Sequence, residues 1–259
     1  MLFATRALTT AGGTDDDWDS LNLDFYLSGI TVTAQRLSTD SKALSGSIYA
    51  VEFDPTQVRV QNGSFTIGAA SASTTVSITS VDRSKAAMVF YFRSSTATAN
   101  EEDENAIKGN FSADNQLTFQ RAVSDSGGAI TGHWFVFEDL GDNFDVQARD
   151  FIIAGTATNG TATINPMQTN KTFTIASFQV PTMSDADHAG TGSIVVDLQN
   201  GSLIRASRKV ADAAALITIS AFAITFSGDE FVQRGFWQWS GDASASQSTT
   251  IIQINPNAN

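Results

Sequence analysis

Val60-Gln61, in the stretch Arg59-Val-Gln-Asn-Gly63, returns as Val146-Gln147 and again as Val232-Gln233, at intervals of 86 residues. Working outward, an apolar, aromatic-rich run precedes each step: Tyr49-Ala-Val-Glu-Phe53, Trp134-Phe-Val-Phe-Glu138 and Phe222-Ala-Ile-Thr-Phe226 lie before the next copy or close it. Each unit also holds a run ending in arginine: Val32-Thr-Ala-Gln-Arg36, Leu117-Thr-Phe-Gln-Arg121 and Leu203-Ile-Arg-Ala-Ser-Arg208, with the arginines 85 and 87 residues apart. Met1-Leu-Phe-Ala-Thr-Arg6 matches Met88-Val-Phe-Tyr-Phe-Arg93 and, more loosely, Phe173-Thr-Ile-Ala-Ser-Phe178. Ile254-Asn-Pro256 matches Ile164-Asn-Pro166. A fixed period of this kind sets the architecture before any site is considered.

The local pattern is all-β. Thr75-Val-Ser-Ile78, Ser193-Ile-Val-Val-Asp197 and the run Leu216 to Phe226 are rich in β-branched and aromatic residues, often in alternation, and read as antiparallel sandwich strands. Asn62-Gly63, Asn159-Gly160, Asn200-Gly201 and Gly127-Gly128 read as tight turns. No segment reads as an amphipathic helix, and Ala211-Asp-Ala-Ala-Ala215 falls where the other copies have a loop.

Three tandem β-sandwich modules follow: residues 58–140, residues 145–227, and a third made by 1–57 together with 231–259. A unit of this length buries only about 60–65% of its unfolded surface and needs its neighbours. A head-to-tail contact between like units either closes or propagates. The phase of the repeat predicts closure, a pseudo-threefold ring in which the two end segments complete one module; an open solenoid is the alternative.

Composition narrows the partners. The 259 residues carry 27 carboxylates against 15 basic side chains, a formal charge of −12, which disfavours a nucleic-acid partner because such binding needs clustered Lys and Arg. The acidic excess is sufficiently explained as a solubility device. With no cysteine, disulfides, thiolate metal sites and thiol nucleophiles are out of reach. No apolar run approaches the roughly 20 residues of a membrane span, and no basic-then-apolar leader opens the chain. The expectation is a protein without membrane insertion and without a secretory signal.

Read from Arg59, one unit runs as Arg59-Val-Gln-Asn-Gly63, Thr75–Ile78, Met88–Arg93, a polar loop, Leu117–Arg121 and Trp134–Glu138; Val232-Gln-Arg-Gly235 has the same opening. In order and spacing this resembles the H-type lectin module, which opens on a Val-Gln-x-Gly segment and ends in a Trp-containing strand. The resemblance implies a small six-stranded antiparallel sandwich that assembles as a trimer, a form that also occurs in bacteriophage fibre and baseplate proteins. It implies sugar binding near the junction of protomers, but no binding position carries over residue by residue. Trp134, Phe222 and Tyr49 read as core rather than ligand platform, because alternate positions of a sandwich strand face inward.

Candidate chemistry is sparse. The two histidines, His133 and His188, occupy different repeat positions, and no nucleophile elbow accompanies them, so no catalytic residues are expected and the chain reads as no enzyme. An acidic loop recurs: Asp15, Asp16 and Asp17; Glu101, Glu102 and Asp103; Asp185 and Asp187. Oxygen ligands suit a divalent cation such as calcium, but a solvated rim is the preferred reading, and no cofactor is expected. Arg36, Arg121 and Arg208 read as structural residues paired with carboxylates at unit boundaries. The functional expectation is a virion structural protein of bacteriophage type, either capsid decoration or tail- or fibre-associated, with other virion proteins or copies of itself as partners. A lectin recognising a host glycan is the first alternative, and a surface-layer or filament subunit the second.

Overall fold

The computed structural model describes residues 1–8, 22–36, 44–94, 106–124, 128–181 and 192–233, and the elements they form are strands. The N-terminal segment supplies β1 (Leu2–Leu8), β2 (Asp24–Ser28), β3 (Thr31–Gln35) and β4 (Leu44–Ala50). Next come β5 (Val58–Ile67), β6 (Ser73–Ser77), β7 (Ala86–Ser94), β8 (Lys108–Ala113), β9 (Gln116–Gln120) and β10 (Ile130–Asp139). The same series follows as β11 (Phe144–Ile153), β12 (Asn159–Thr163), β13 (Thr172–Gln179), β14 (Val195–Asn200), β15 (Leu203–Ser207) and β16 (Ile217–Phe226).

All pairings are antiparallel, and the sheets repeat. The order β5-β10-β7 recurs as β11-β16-β13, and β6-β9-β8 recurs as β12-β15-β14. Register repeats too: Val58↔Asp139 and Ala86↔Glu138 become Phe144↔Phe226 and Thr172↔Thr225. Even the irregularity between Phe111 and Ala113 in β8 has its counterpart between Leu198 and Asn200 in β14. The N-terminal strands are the back half of the same plan, since β1 pairs β4 as β7 pairs β10, and β2 pairs β3 as β8 pairs β9.

Register corrects one alignment. Leu2↔Ala50 occupies the place of Met88↔Val136 and of Thr174↔Ala223, so the counterparts of Met88 are Leu2 and Thr174 rather than Met1 and Phe173. One residue is decisive in a strand, because a slip by one exchanges the two faces.

Each central strand is apolar on both faces. Trp134 through Phe137 of β10 and Ile219 through Ile224 of β16 are buried, whereas the outer strands β6 and β12 alternate between half-buried and exposed. Between the two sheets of unit 58–139, Phe65 of β5 stacks on Phe119 of β9 with centroids 3.9 Å apart, and Phe90 of β7 meets Phe119 edge-on at 5.2 Å. In unit 144–226 the corresponding core is aliphatic: Ile153, Ile204, Ala206, Ile217 and Ile219 are all buried.

Two of the expected turns are strand instead. Asn62-Gly63 lies inside β5 and Asn159-Gly160 opens β12, while Asn200-Gly201 does make the turn from β14 to β15. Gly63 pairs with Trp134 across the sheet, and a Cβ at that position would lie 2.6 Å from the indole Cζ2. Glycine is there for the ring opposite, not for a left-handed turn.

Candidate functional site

The Val-Gln marker has a structural meaning. Thr79 N–H donates to Gln61 Oε1 at 2.8 Å, and Gln61 Nε2 donates to Thr79 O at 3.0 Å, which pins the chain leaving β6 to β5. Gln147 and Asn165 repeat this bracket at 2.7 and 3.1 Å. An amide side chain, with a donor and an acceptor side by side, can satisfy both the N–H and the C=O of one residue in this way.

The recurrent arginines serve a similar end. Arg121, buried, donates from Nε to Ser71 O, from Nη1 to Gly128 O, and from Nη2 to Gly68 O and Ala69 O, at 2.6–3.0 Å. Arg208 repeats the set on Ala157 O, Ala215 O, Ala154 O and Gly155 O. Each guanidinium therefore ties two loops of its own unit through their carbonyls. The expected carboxylate at a unit boundary is not what these side chains hold by those bonds; burial pulls the Arg208 pKa down, with only the charge of Asp212 opposing. Arg36 follows β3 as Arg121 follows β9, but it is half-buried where Arg121 is buried.

A second set of polar contacts lies where one unit meets the next. At the first junction β2 lies across β10 and β7. Asp24, fully buried, reaches His133 Nδ1 at 2.8 Å and Arg93 Nη1 at 3.7 Å. Tyr26 stacks on the His133 ring at 4.4 Å, Phe25 meets Tyr91 edge-on at 5.2 Å, and Arg93 also donates to Gln35. Burial pushes the Asp24 carboxyl up, against the hydrogen bond and charge of His133 and the charge of Arg93.

At the second junction β8 lies across β16 and β13 in the same way. Register makes Asp24 equivalent to Lys108, Phe25 to Gly109, and Tyr91 to Ser177. The aromatic pair Phe25–Tyr91 thus becomes a hydrogen bond, Gly109 N–H to Ser177 Oγ at 3.0 Å. Gly109 has no room for more, since a Cβ would come within 2.7 Å of Phe90. Lys108 faces Asp150 at 3.7 Å, Asn110 Nδ2 donates to Asp150 at 3.1 Å, and Phe111 meets Phe222 edge-on at 5.8 Å. One geometry is thereby held by two unrelated sets of side chains.

Two cavities adjoin the second junction. One of about 190 Å³ is apolar, between β7 and β13, and is lined by Phe90, Phe92, Ile107, Ile175 and Phe222 among others. The other, about 250 Å³, is polar and includes Arg83, Asn110, Arg149 and Asp150. Arg83 there holds Asp114 at 2.8 Å, and Arg149 donates to Thr163 O.

The acidic candidates Asp15, Asp16, Asp17, Glu101, Glu102, Asp103, Asp185 and Asp187, and also His188, lie outside the described residues. Among the described residues no cluster of three or more His, Asp or Glu side chains is placed to hold a metal. Trp134 and Phe222 are core, as expected, but Tyr49 is 62% exposed. No family model, no curated protein and no solved structure matches the chain. Among the described residues no helix is long and apolar enough to cross a membrane.

Proposed function

We propose that this chain is a non-enzymatic structural protein of a virion, of bacteriophage type, built from three tandem β-sandwich modules that hold one another through a repeated junction. The observation that carries this reading is that the same strand-on-sheet contact is built twice within one chain, and that the notable buried polar groups, Asp24, Lys108, Arg121 and Arg208, are engaged in holding the protein together. Such a use of side chains suits a scaffold. The resemblance to lectin modules found in fibre and baseplate proteins supplies the virion setting.

Residues 231–259 belong to the same proposal as the front half of the module whose back half is 1–57. Its support is the exit from unit 144–226: Val232 N–H donates to Asn170 O, as Val146 N–H donates to Ser84 O at the preceding exit. The remaining residues, 234–259, lie outside the described set. Fractionation of particles tests the reading: the protein is expected to co-purify with assembled virions at fixed stoichiometry, and its absence from purified particles would overturn the assignment.

A second reading, a carbohydrate-binding adhesin, is favoured by the polar cavity beside the second junction, where Asn110, Asp150 and two arginines offer the donors and acceptors that sugar hydroxyls require. A glycan array on the intact protein decides it. Binding that is lost in Asp150→Ala supports the adhesin, and no binding to any sugar sinks it.

A further inference from the structure

Two junctions inside the chain place one strand, β2 or β8, across the central and flanking strands of the neighbouring unit. The third strand of this kind is β14, and the third receiving sheet is β1 with β4. Among the described residues β14 does not pack on β1 and β4 as its two counterparts pack on theirs.

Exposure marks both halves. Val195 of β14 is 57% exposed, whereas its counterparts Asp24 and Lys108 are buried. Tyr49 of β4 is 62% exposed, whereas its counterparts Phe135 and Phe222 are buried, each at 2%. The chain therefore carries, apart from each other, the two complementary halves of an interface that it already uses twice.

We infer that β14 of one copy docks across β4 and β1 of a second copy, so that the chains assemble head to tail. The occupant is another copy because each half finds its complement on this same sequence. Side-chain chemistry agrees: the contact equivalent to Asp24–His133 is Val195–Ser47, without charge, and Val195 with Tyr49 offers an apolar surface. A contact between unlike surfaces that does not close on itself propagates, and a second copy covers apolar area that water otherwise meets. The inference keeps the structural-subunit reading for its setting and differs from it in one respect, that the module shared by 231–259 and 1–57 forms between successive copies rather than within one chain; particle fractionation tests the setting, and the experiment below tests the contact.

The absence of cysteine makes the test clean. Sedimentation of the intact chain is expected to show mass that grows with concentration. Val195→Glu and Tyr49→Glu, at exposed positions that leave the fold intact by circular dichroism, are each expected to weaken association about tenfold or more. Mixed together they are expected to form dimers and nothing larger, since one intact half remains on each chain. In the double variant Ser47→Cys, Val195→Cys, mild oxidation is expected to give a ladder of linked chains. A wild-type chain that stays monomeric at every concentration overturns the inference, as does a mixture that stays monomeric. A double variant that links only within one chain also overturns it, and places the third junction inside a pseudo-threefold ring.

Discussion

At Arg121 a single side chain donates to four backbone carbonyls from inside the protein. Truncation leaves those acceptors without their donor, at roughly 1–3 kcal/mol for each one that water cannot reach. Arg121→Ala is therefore expected to lower unfolding free energy by about 3 kcal/mol or more in urea titration, with Arg121→Lys recovering little because an ammonium cannot span the fork. The recurrence of this arginine is plain in the sequence, but its role is not, because peptide carbonyls carry no residue signature. Asp24 and His133 were illegible for another reason: they are 109 positions apart and stand at non-equivalent points of the repeat. Asp139 is a further case. Burial opposes its ionisation, yet the N–H groups of Phe144 and Gly141 and the amide of Asn143 together hold its carboxyl below the usual range. A carboxyl depressed in the folded state contributes stability above its unfolded pKa of about 3.9, and that contribution is lost as pH falls through the folded value. Asp139→Asn is expected to flatten this acid limb in denaturation curves taken across the acid range, while wild type keeps it.

Among elements, the strands were readable because β-branched and aromatic runs recur at the same spacing, and the repeat vouches for each copy by the others. Face and register were less so. β1 aligned by its methionine is off by one, since the alternation of a short strand admits two phases and only pairing with β4 chooses between them. Asn62-Gly63 is the instructive failure, a turn signature spent on accommodating Trp134 across the sheet. Gly63→Ala is expected to destabilise by about 1–3 kcal/mol through overpacking against the indole, and Trp134→Leu in the same chain is expected to restore part of the loss. If Gly63→Ala is neutral in thermal melts, the glycine is not there for the ring.

For the molecule as a whole, the apolar interior does not stop at unit boundaries. Phe137, Phe144 and Phe226 form a chain of edge-on contacts at 5.8 and 6.5 Å, and one buried cluster runs from Leu2 and Phe25 through unit 58–139 to Phe222 and Ile224. Calorimetry is accordingly expected to show one cooperative transition with calorimetric and van't Hoff enthalpies in agreement, and resolved separate transitions would refute that coupling. Deleting residues 231–259 is expected to lower the melting temperature; a truncated chain of full stability would remove the shared third module. The two internal junctions share a geometry and share no side chains: buried Asp24 on His133 in one, Lys108 on Asp150 and Gly109 on Ser177 in the other. That difference works as an address. Transplanting Phe25 onto position 109 would drive a ring into Phe90, and transplanting Lys108 onto position 24 would set an ammonium beside Arg93. Copies that began alike have thus become parts with assigned seats, and a gene rearranged to string the same units in another order would encode every strand yet misplace the assembly.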